Sequence, residues 1–244
     1  MTRVERHVVG HEEYIPNLEV QKKLAQTVLV QLIGPTAVGK STLIDLIVSR
    51  NDSHFSEVGT LTTRPKRETD SPWVTADISH EEMKNKIDNH ELVQYFRHPS
   101  GDIYATDSSS YRTDVCLLPT MAKSADDFLG CGFIKIIRVG IIANGHQWSE
   151  RLKERKLDPS FSGRMIEARE SLEWMNGYIR NNSLDTTSGP DLVIVENNHD
   201  MSEEAADKII DTINGNTPYN NRPRFNTRFL EMSAYINSVL RGKE

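Results

Sequence analysis

Cysteine is scarce: Cys116 and Cys131 are the two in 244 residues. They form no CxxC pair, so neither a disulfide framework nor a structural zinc site organises this chain, and a reducing, cytoplasmic compartment is expected. Long apolar runs are lacking as well. No stretch approaches the ~18 residues of a spanning helix, so no membrane partner is expected. The opening MTRVERHVVGHEEYIP holds no apolar segment of signal-peptide length. There is no basic surplus either. Lys and Arg number 29 against 35 Asp and Glu, a net charge of −6, which argues against a dedicated nucleic-acid binder. Internal repeats and low-complexity tracts are absent. His7 and His11 are four apart, but with no third ligand beside them they read as surface histidines.

What is present suits a globular protein. The chain is 37% hydrophobic and 26% charged, enough for a packed core. At ~150 residues per domain, its length fits one full-sized domain with appendages, or at most two small domains. Residues 1–26 are polar and read as an extension, with a helix near Leu18–Gln26. Apolar runs at Thr27–Ile33, Val115–Leu118, Phe133–Val139 and Leu192–Val195 have the character of strands buried on both faces. Helical spacing predicts helices after Lys40 and over Glu81–Asn89, Arg164–Arg180 and Met201–Ile213, the last with Ser202 as N-cap. Alternating strands and helices imply an α/β domain with a largely parallel sheet. Ser183–Pro190 reads as a polar loop and residues 214–224 as a turn-rich linker. From Phe225 to Leu240 an apolar stripe at spacings of three and four predicts an amphipathic C-terminal helix. Its readings are packing on its own domain, a homodimer contact and a partner-binding helix.

One motif carries chemistry by itself. Gly34-Pro35-Thr36-Ala37-Val38-Gly39-Lys40-Ser41-Thr42 fits GxxxxGK[ST] completely, after a predicted strand and before a predicted helix. Its glycines let backbone amides turn inward around phosphates. The helix N-terminus adds further amides and a favourable dipole. Lys40 supplies positive charge at the β- and γ-phosphates, and the Ser41 hydroxyl can reach Mg²⁺. ATP or GTP binding with Mg²⁺ is therefore expected.

Two cationic clusters follow. Thr60-Leu61-Thr62-Thr63-Arg64-Pro65-Lys66-Arg67-Glu68 packs three cations and several hydroxyls into one segment, and the planar fork of arginine suits phosphate oxygens. Arg151 and Arg155 are four apart and share a helix face, with Arg164 and Arg169 beyond. Arginines closing over a transferring phosphoryl group stabilise its charge. Solvated charge is the bland alternative for both clusters.

In order and spacing, residues 27–213 resemble the guanylate kinases. The P-loop is similar to that family's GPSGxGKST, and Thr62–Arg67 to its TTRxPR. His90–Tyr95 with Gly101–Thr106 looks like its EFLEW…GNYYGT. Arg151–Arg155 looks like the lid's RLxxR, Arg164-Met165 like the following RRL, and Leu192–Asn197 like the last strand and its adenine-side turn. The resemblance implies a P-loop fold with a parallel five-stranded sheet, an acceptor-binding insert (about 59–112) and a mobile lid (about 146–164). It implies Lys40, Arg151, Arg155 and Arg164 as catalytic cations. Gly34, Ala37, Val38, Gly39, Lys40, Ser41, Thr42 and Asn197 would bind ATP, with Ser41 toward Mg²⁺. Thr60, Arg64, Arg67 and Tyr104 would hold the acceptor phosphate. Gln94 and Thr106 would face its base. The implied reaction is phosphoryl transfer from ATP to a nucleoside monophosphate, GMP to GDP.

The sequence also departs from that pattern. Gln94 stands where the family has a glutamate, and Pro119-Thr120-Met121 where it has a carboxylate turn. Glu68 to Val74 lacks the family's tyrosine. Asp191-Leu-Val-Ile-Val-Glu196 ends a strand in an acid, but its late position suits the adenine-side turn better than a magnesium ligand. Two other functions fit the departures: a phosphometabolite kinase resembling ribose 1,5-bisphosphate kinase, and a non-catalytic guanylate kinase-like binding module.

Overall fold

The computed structural model describes residues 14–68, 70–98, 100–153, 161–181, 192–216 and 222–241. In chain order its elements are α1 (Leu18–Leu24), β1 (Val28–Ile33), α2 (Lys40–Arg50), β2 (Phe55–Glu57), β3 (Thr60–Thr62), β4 (Val74–Thr75), α3 (His80–Asp88), β5 (Leu92–Arg97), β6 (Ile103–Asp107), β7 (Val115–Thr120), β8 (Lys135–Ile142), α4 (Gly145–Lys153), α5 (Phe161–Asn181), β9 (Leu192–Glu196), α6 (Ser202–Ile213) and α7 (Arg222–Arg241). These elements form two compact units.

The larger unit takes the described residues of 26–58, 111–126 and 133–244. Its sheet has five strands in the order β2-β7-β1-β8-β9, every pair parallel. β1 lies at its centre and is buried apart from Val28, as a continuous apolar run covered on both faces should be. The exception in composition is Gln31, fully buried opposite Arg138 of β8. Its Nε2 donates to the Ala125 carbonyl at 3.0 Å, and its Oε1 accepts from Arg138 Nε at 3.3 Å. Arg138 reaches on to Asp126 at 2.6 Å and to the Tyr178 hydroxyl at 2.8 Å. Each buried polar group thus has a partner, which is how an apolar strand retains a glutamine. Strand order runs opposite ways on the two sides of β1, so the crevice at its carboxyl end is where an open parallel sheet binds ligands.

Several boundaries differ from expectation. β8 continues past Val139 to Ile142, because Gly140–Ile142 pair with Ile194–Glu196 of β9 and the ladder outweighs the local weakness of glycine. α5 starts at Phe161, which is buried in the core, rather than at Arg164. Ser202 is not the N-cap of α6. Met201 takes that place without a side-chain cap bond, and Ser202 Oγ donates to Asn197 Oδ1 at 3.0 Å. α7 begins at Arg222, inside the expected linker. Pro223 sits in its first turn, where a missing N–H removes no intrahelical bond. Phe229, Met232 and Ile236 of α7 are buried in the common core, and the helix packs on α4 and α5. The C-terminal stripe therefore covers its own unit. Ser183–Pro190, residues 217–221, His7 and His11 lie outside the described residues.

The smaller unit takes the described residues of 14–25, 59–110 and 127–132. Its sheet runs β4-β3-β6-β5, with β3 and β4 parallel and the other pairs antiparallel. Met83, Leu92, Ile103 and Ala105 form its core. Ser79 caps α3 by accepting from Glu82 N, and Asn17 caps α1 from Val20 N. The early segment is more than an extension: the Tyr14 hydroxyl donates to Leu92 O and accepts from Leu92 N, both at 3.1 Å. Burial pushes that phenol up to about 12.

Both cysteines are free and buried. Burial pushes the Cys131 thiol up to about 12, so it stays protonated and is no nucleophile. Among the described residues, no helix is long and apolar enough to cross a membrane.

Candidate functional site

In the larger unit β1 runs into the P-loop and α2 leaves it. Ala37 and Gly39 both have positive φ, +61° and +98°. At Gly39 a Cβ would come within 2.3 Å of Asn197 Nδ2, so that position needs glycine for its backbone and for the close approach of the β9 turn. The first amides of α2, at Lys40, Ser41 and Thr42, have no partner within the helix by geometry, and the dipole there favours an anion. The Lys40 ammonium folds back onto its own loop, donating to Gly34 O and to Pro35 O at 3.1 Å. Ser41 and Thr42 are exposed.

Three side chains hold this loop from outside. Asn197 Nδ2 donates to Val38 O at 2.9 Å. Arg151 Nη1 donates to Val38 O at 3.2 Å and to Asn197 O at 3.1 Å. Trp148 Nε1 donates to Thr36 O at 2.8 Å. Arg151 is half-buried, and burial lowers its pKa from the usual arginine range; it remains a cation at neutral pH. Arg151 and Asn197, far apart in sequence, thus meet on one carbonyl of the P-loop. Arg164 is half-buried in the first turn of α5. Arg155 and Asp191 lie outside the described residues. Glu196 is buried and engaged, accepting from Asn198 Nδ2 at 2.7 Å and from Arg228 Nε at 2.6 Å.

Among the described residues, no group of three His, Cys, Asp or Glu could hold a metal. The Ser41 hydroxyl, at the N-terminal amides of α2, fits a Mg²⁺ that would arrive with a nucleotide, since this ion keeps waters and phosphate oxygens as most of its ligands.

The smaller unit brings the residues expected to meet an acceptor together in two groups. In the first, Arg64 and Tyr104 are neighbours, the guanidinium lying 6.0 Å from the ring centroid. The fork of Arg64 is already occupied: Nη1 and Nη2 donate to the two carboxylate oxygens of Asp70 at 2.9 and 2.5 Å, and Nη1 also to Pro65 O at 2.8 Å. Its Nε is buried without a partner. Asp70 also accepts from the Arg67 N–H at 2.8 Å. The Arg64 bonds, then the Arg67 amide, hold the Asp70 carboxyl down at about 2. The Arg67 side chain is exposed, and Thr60 in β3 is half-buried.

The second group is the pair expected to face a base. Gln94 of β5 stands directly opposite Thr106 of β6, both buried. Gln94 Nε2 donates to Tyr95 O at 2.7 Å and reaches Asp127 Oδ2 at 3.4 Å. Met121 is half-buried and Pro119 exposed in β7.

Asp70, Asp127 and Trp148 escaped the sequence reading. Asp70 had a signal: an acid three residues after Arg67 in a Ser-Pro turn is placed to accept main-chain and arginine bonds. Asp127 had none, because 33 residues separate it from Gln94.

The guanylate kinase family model matches residues 26–114. No curated protein matches the chain. Among solved structures, the crystal structure of guanylate kinase from Anaplasma phagocytophilum aligns with 81% of this chain and 88% of its own, at 14% identity and a TM-score of 0.48. The matched stretch is a little over a third of the chain. It runs from the P-loop strand through the whole β3–β6 sheet, and over it the sequence is similar to that family.

Proposed function

We propose that the protein transfers the γ-phosphoryl group of ATP to a nucleoside monophosphate, with GMP to GDP as the favoured reaction. The observation that carries the reading is the P-loop itself, with Lys40 folded over it and Arg151 fixed to its Val38 carbonyl. No covalent nucleophile is required, because phosphoryl transfer is achieved by positioning and cationic stabilisation. The amides from Gly39 to Thr42 would cradle the donor phosphates. Lys40 would move from the loop carbonyls to the β- and γ-oxygens. Arg151, Arg155 and Arg164 would face the transferring group, on a lid of residues 146–164. Mg²⁺, held on the protein side by Ser41, would neutralise charge that builds on the phosphates.

In this reading residues 59–112 recognise the acceptor. Thr60, Arg67 and Tyr104 offer donors for its phosphate, and Arg64 joins them when phosphate oxygens displace Asp70. Thr106 and Gln94 face the base. Guanine offers two adjacent donors, and Asp127 beside Gln94 supplies an anionic acceptor where the chain lacks the expected glutamate.

A phosphorylated sugar as acceptor is the second reading, favoured by the neutral amide at Gln94 and by Met121. A non-catalytic module is the third; the intact Lys40, Ser41 and Arg151 weigh against it. The free thiols suit a cytoplasmic protein. A homodimer through α7 would use the face carrying the exposed Leu230.

The test is ADP formation from Mg-ATP with GMP, AMP, dTMP and ribose 1,5-bisphosphate in turn. GMP should give the highest kcat/KM. A preference for the sugar phosphate selects the second reading, and no ADP with any acceptor contradicts catalysis.

A further inference from the structure

α7 lies beyond the region that resembles a kinase, yet two of its side chains reach the framework of the nucleotide loop. Glu231 Oε2 accepts from the Gly145 N–H at 3.2 Å, so an anion from α7 sits at the N-terminus of α4. The contact is close: a Cβ at Gly145 would lie 2.7 Å from Glu231 Cβ. α4 in turn carries Trp148, bonded to Thr36 O, and Arg151, bonded to Val38 O. Tyr235, one helical turn beyond Glu231, meets Trp148 edge-on at 5.7 Å.

The second branch starts three residues earlier. Arg228 Nε donates to Glu196 Oε1 at 2.6 Å, at the end of β9. Glu196 accepts from Asn198, whose Oδ1 accepts from Asn144 N at 2.7 Å. Between Glu196 and Asn198 lies Asn197, which holds Val38 O. Arg228 Nη1 also donates to both Glu231 oxygens, at 3.2 and 3.1 Å. The ion pair on α7 therefore joins two chains of contacts that converge on one P-loop carbonyl.

We infer that Glu231 and Arg228 are positioning residues for phosphoryl transfer: through α4 and the β9 turn they set Arg151 and Asn197 on the P-loop. This rests on the kinase reading above. A helix serving only to cover the core needs Phe229, Met232 and Ile236; it needs no half-buried charge pair aimed at the start of α4.

The experiment uses the full chain as wild type, Glu231→Ala, Glu231→Gln and the control Asn237→Ala, at an exposed position of α7. Hydrogen exchange is followed at the amides of α4 and of α6, with kcat measured per folded molecule under saturating Mg-ATP and acceptor. Glu231→Ala should speed exchange in α4 by roughly fivefold or more, as loss of a hydrogen bond there implies, and leave α6 unchanged. Its kcat should fall by about 10–10²-fold, since small misplacement of a catalytic group is that costly. Glu231→Gln keeps an oxygen for the Gly145 N–H and should recover most of both. Asn237→Ala should match wild type. Unchanged α4 exchange in Glu231→Ala, or faster exchange with unchanged kcat, overturns the inference. A wild type that forms no product overturns the kinase reading instead, and the exchange result still decides whether α7 holds α4.

Discussion

Along the P-loop, the groups placed to meet a triphosphate are mostly main-chain amides, and the side chains around them bind main-chain carbonyls. In the β3–β6 sheet, the groups placed to meet an acceptor are side chains, and they bind one another. Arg151 and Asn197 steady Val38 O. Arg64 is held by Asp70, and Gln94 faces Asp127. The first arrangement tolerates little substitution, because a backbone cradle depends on particular φ angles and on close approaches such as Gly39 to Asn197. The second can be rewritten one side chain at a time. On the proposed function, phosphate binding would be fixed in one unit of the molecule and acceptor choice adjustable in the other.

The largest expected effect lies on the fixed side. Lys40→Ala should lower kcat by about 10²–10³-fold, the loss seen when one donor to developing charge is removed, with the far-ultraviolet circular dichroism unchanged. Next is Arg151→Lys. A single ammonium cannot reproduce the guanidinium geometry that spans Val38 O and Asn197 O. We expect a kcat drop of about 10–10²-fold, with the acceptor KM little altered. If Arg151→Lys raised only the ATP KM, Arg151 would belong to ground-state binding.

On the adjustable side, Asp127→Asn should reduce kcat/KM for GMP by about tenfold or more, as loss of a charged acceptor implies, with a smaller change for AMP. Gln94→Glu should then improve GMP use in the Asp127→Asn background and gain less in the wild type, where it sets two carboxylates side by side. A double-mutant cycle reads that coupling.

The smallest effect is on stability. The folded pKa of Asp70, about 2, lies below its ordinary value of 3.8. The stabilisation from its pairing with Arg64 is therefore complete above the unfolded value and is lost as pH falls through about 2. The thermal midpoint between pH 5 and pH 2 should fall less steeply in Asp70→Asn than in wild type.

What was legible in the sequence follows the same division. The central strand, the P-loop and the helix after it are local: Val28–Ile33 and Gly34–Thr42 announce themselves by composition and spacing. The sheet register that sets Gln94 opposite Thr106 is non-local, yet the resemblance to known motifs anticipated that both residues share a surface. Asp127 beside Gln94 depends on side-chain geometry that spacing does not encode, whereas Asp70, three residues after Arg67, carried a local signal. The Gln31–Arg138 pair was hidden for another reason: an apolar run with one glutamine reads the same whether or not a buried partner waits on the neighbouring strand. The start of α7 was misplaced because Pro223 breaks a helix in general and suits its first turn in particular.

The central claim is that this chain moves a phosphoryl group from ATP to a nucleoside monophosphate. The most direct measurement follows label from γ-³²P-ATP into product, with GMP as acceptor, for the wild type and Lys40→Ala at equal folded concentration. Label appearing in GDP with the wild type, and nearly lost with Lys40→Ala, is the predicted result. Label released only as inorganic phosphate, or equal transfer by both proteins, would contradict it.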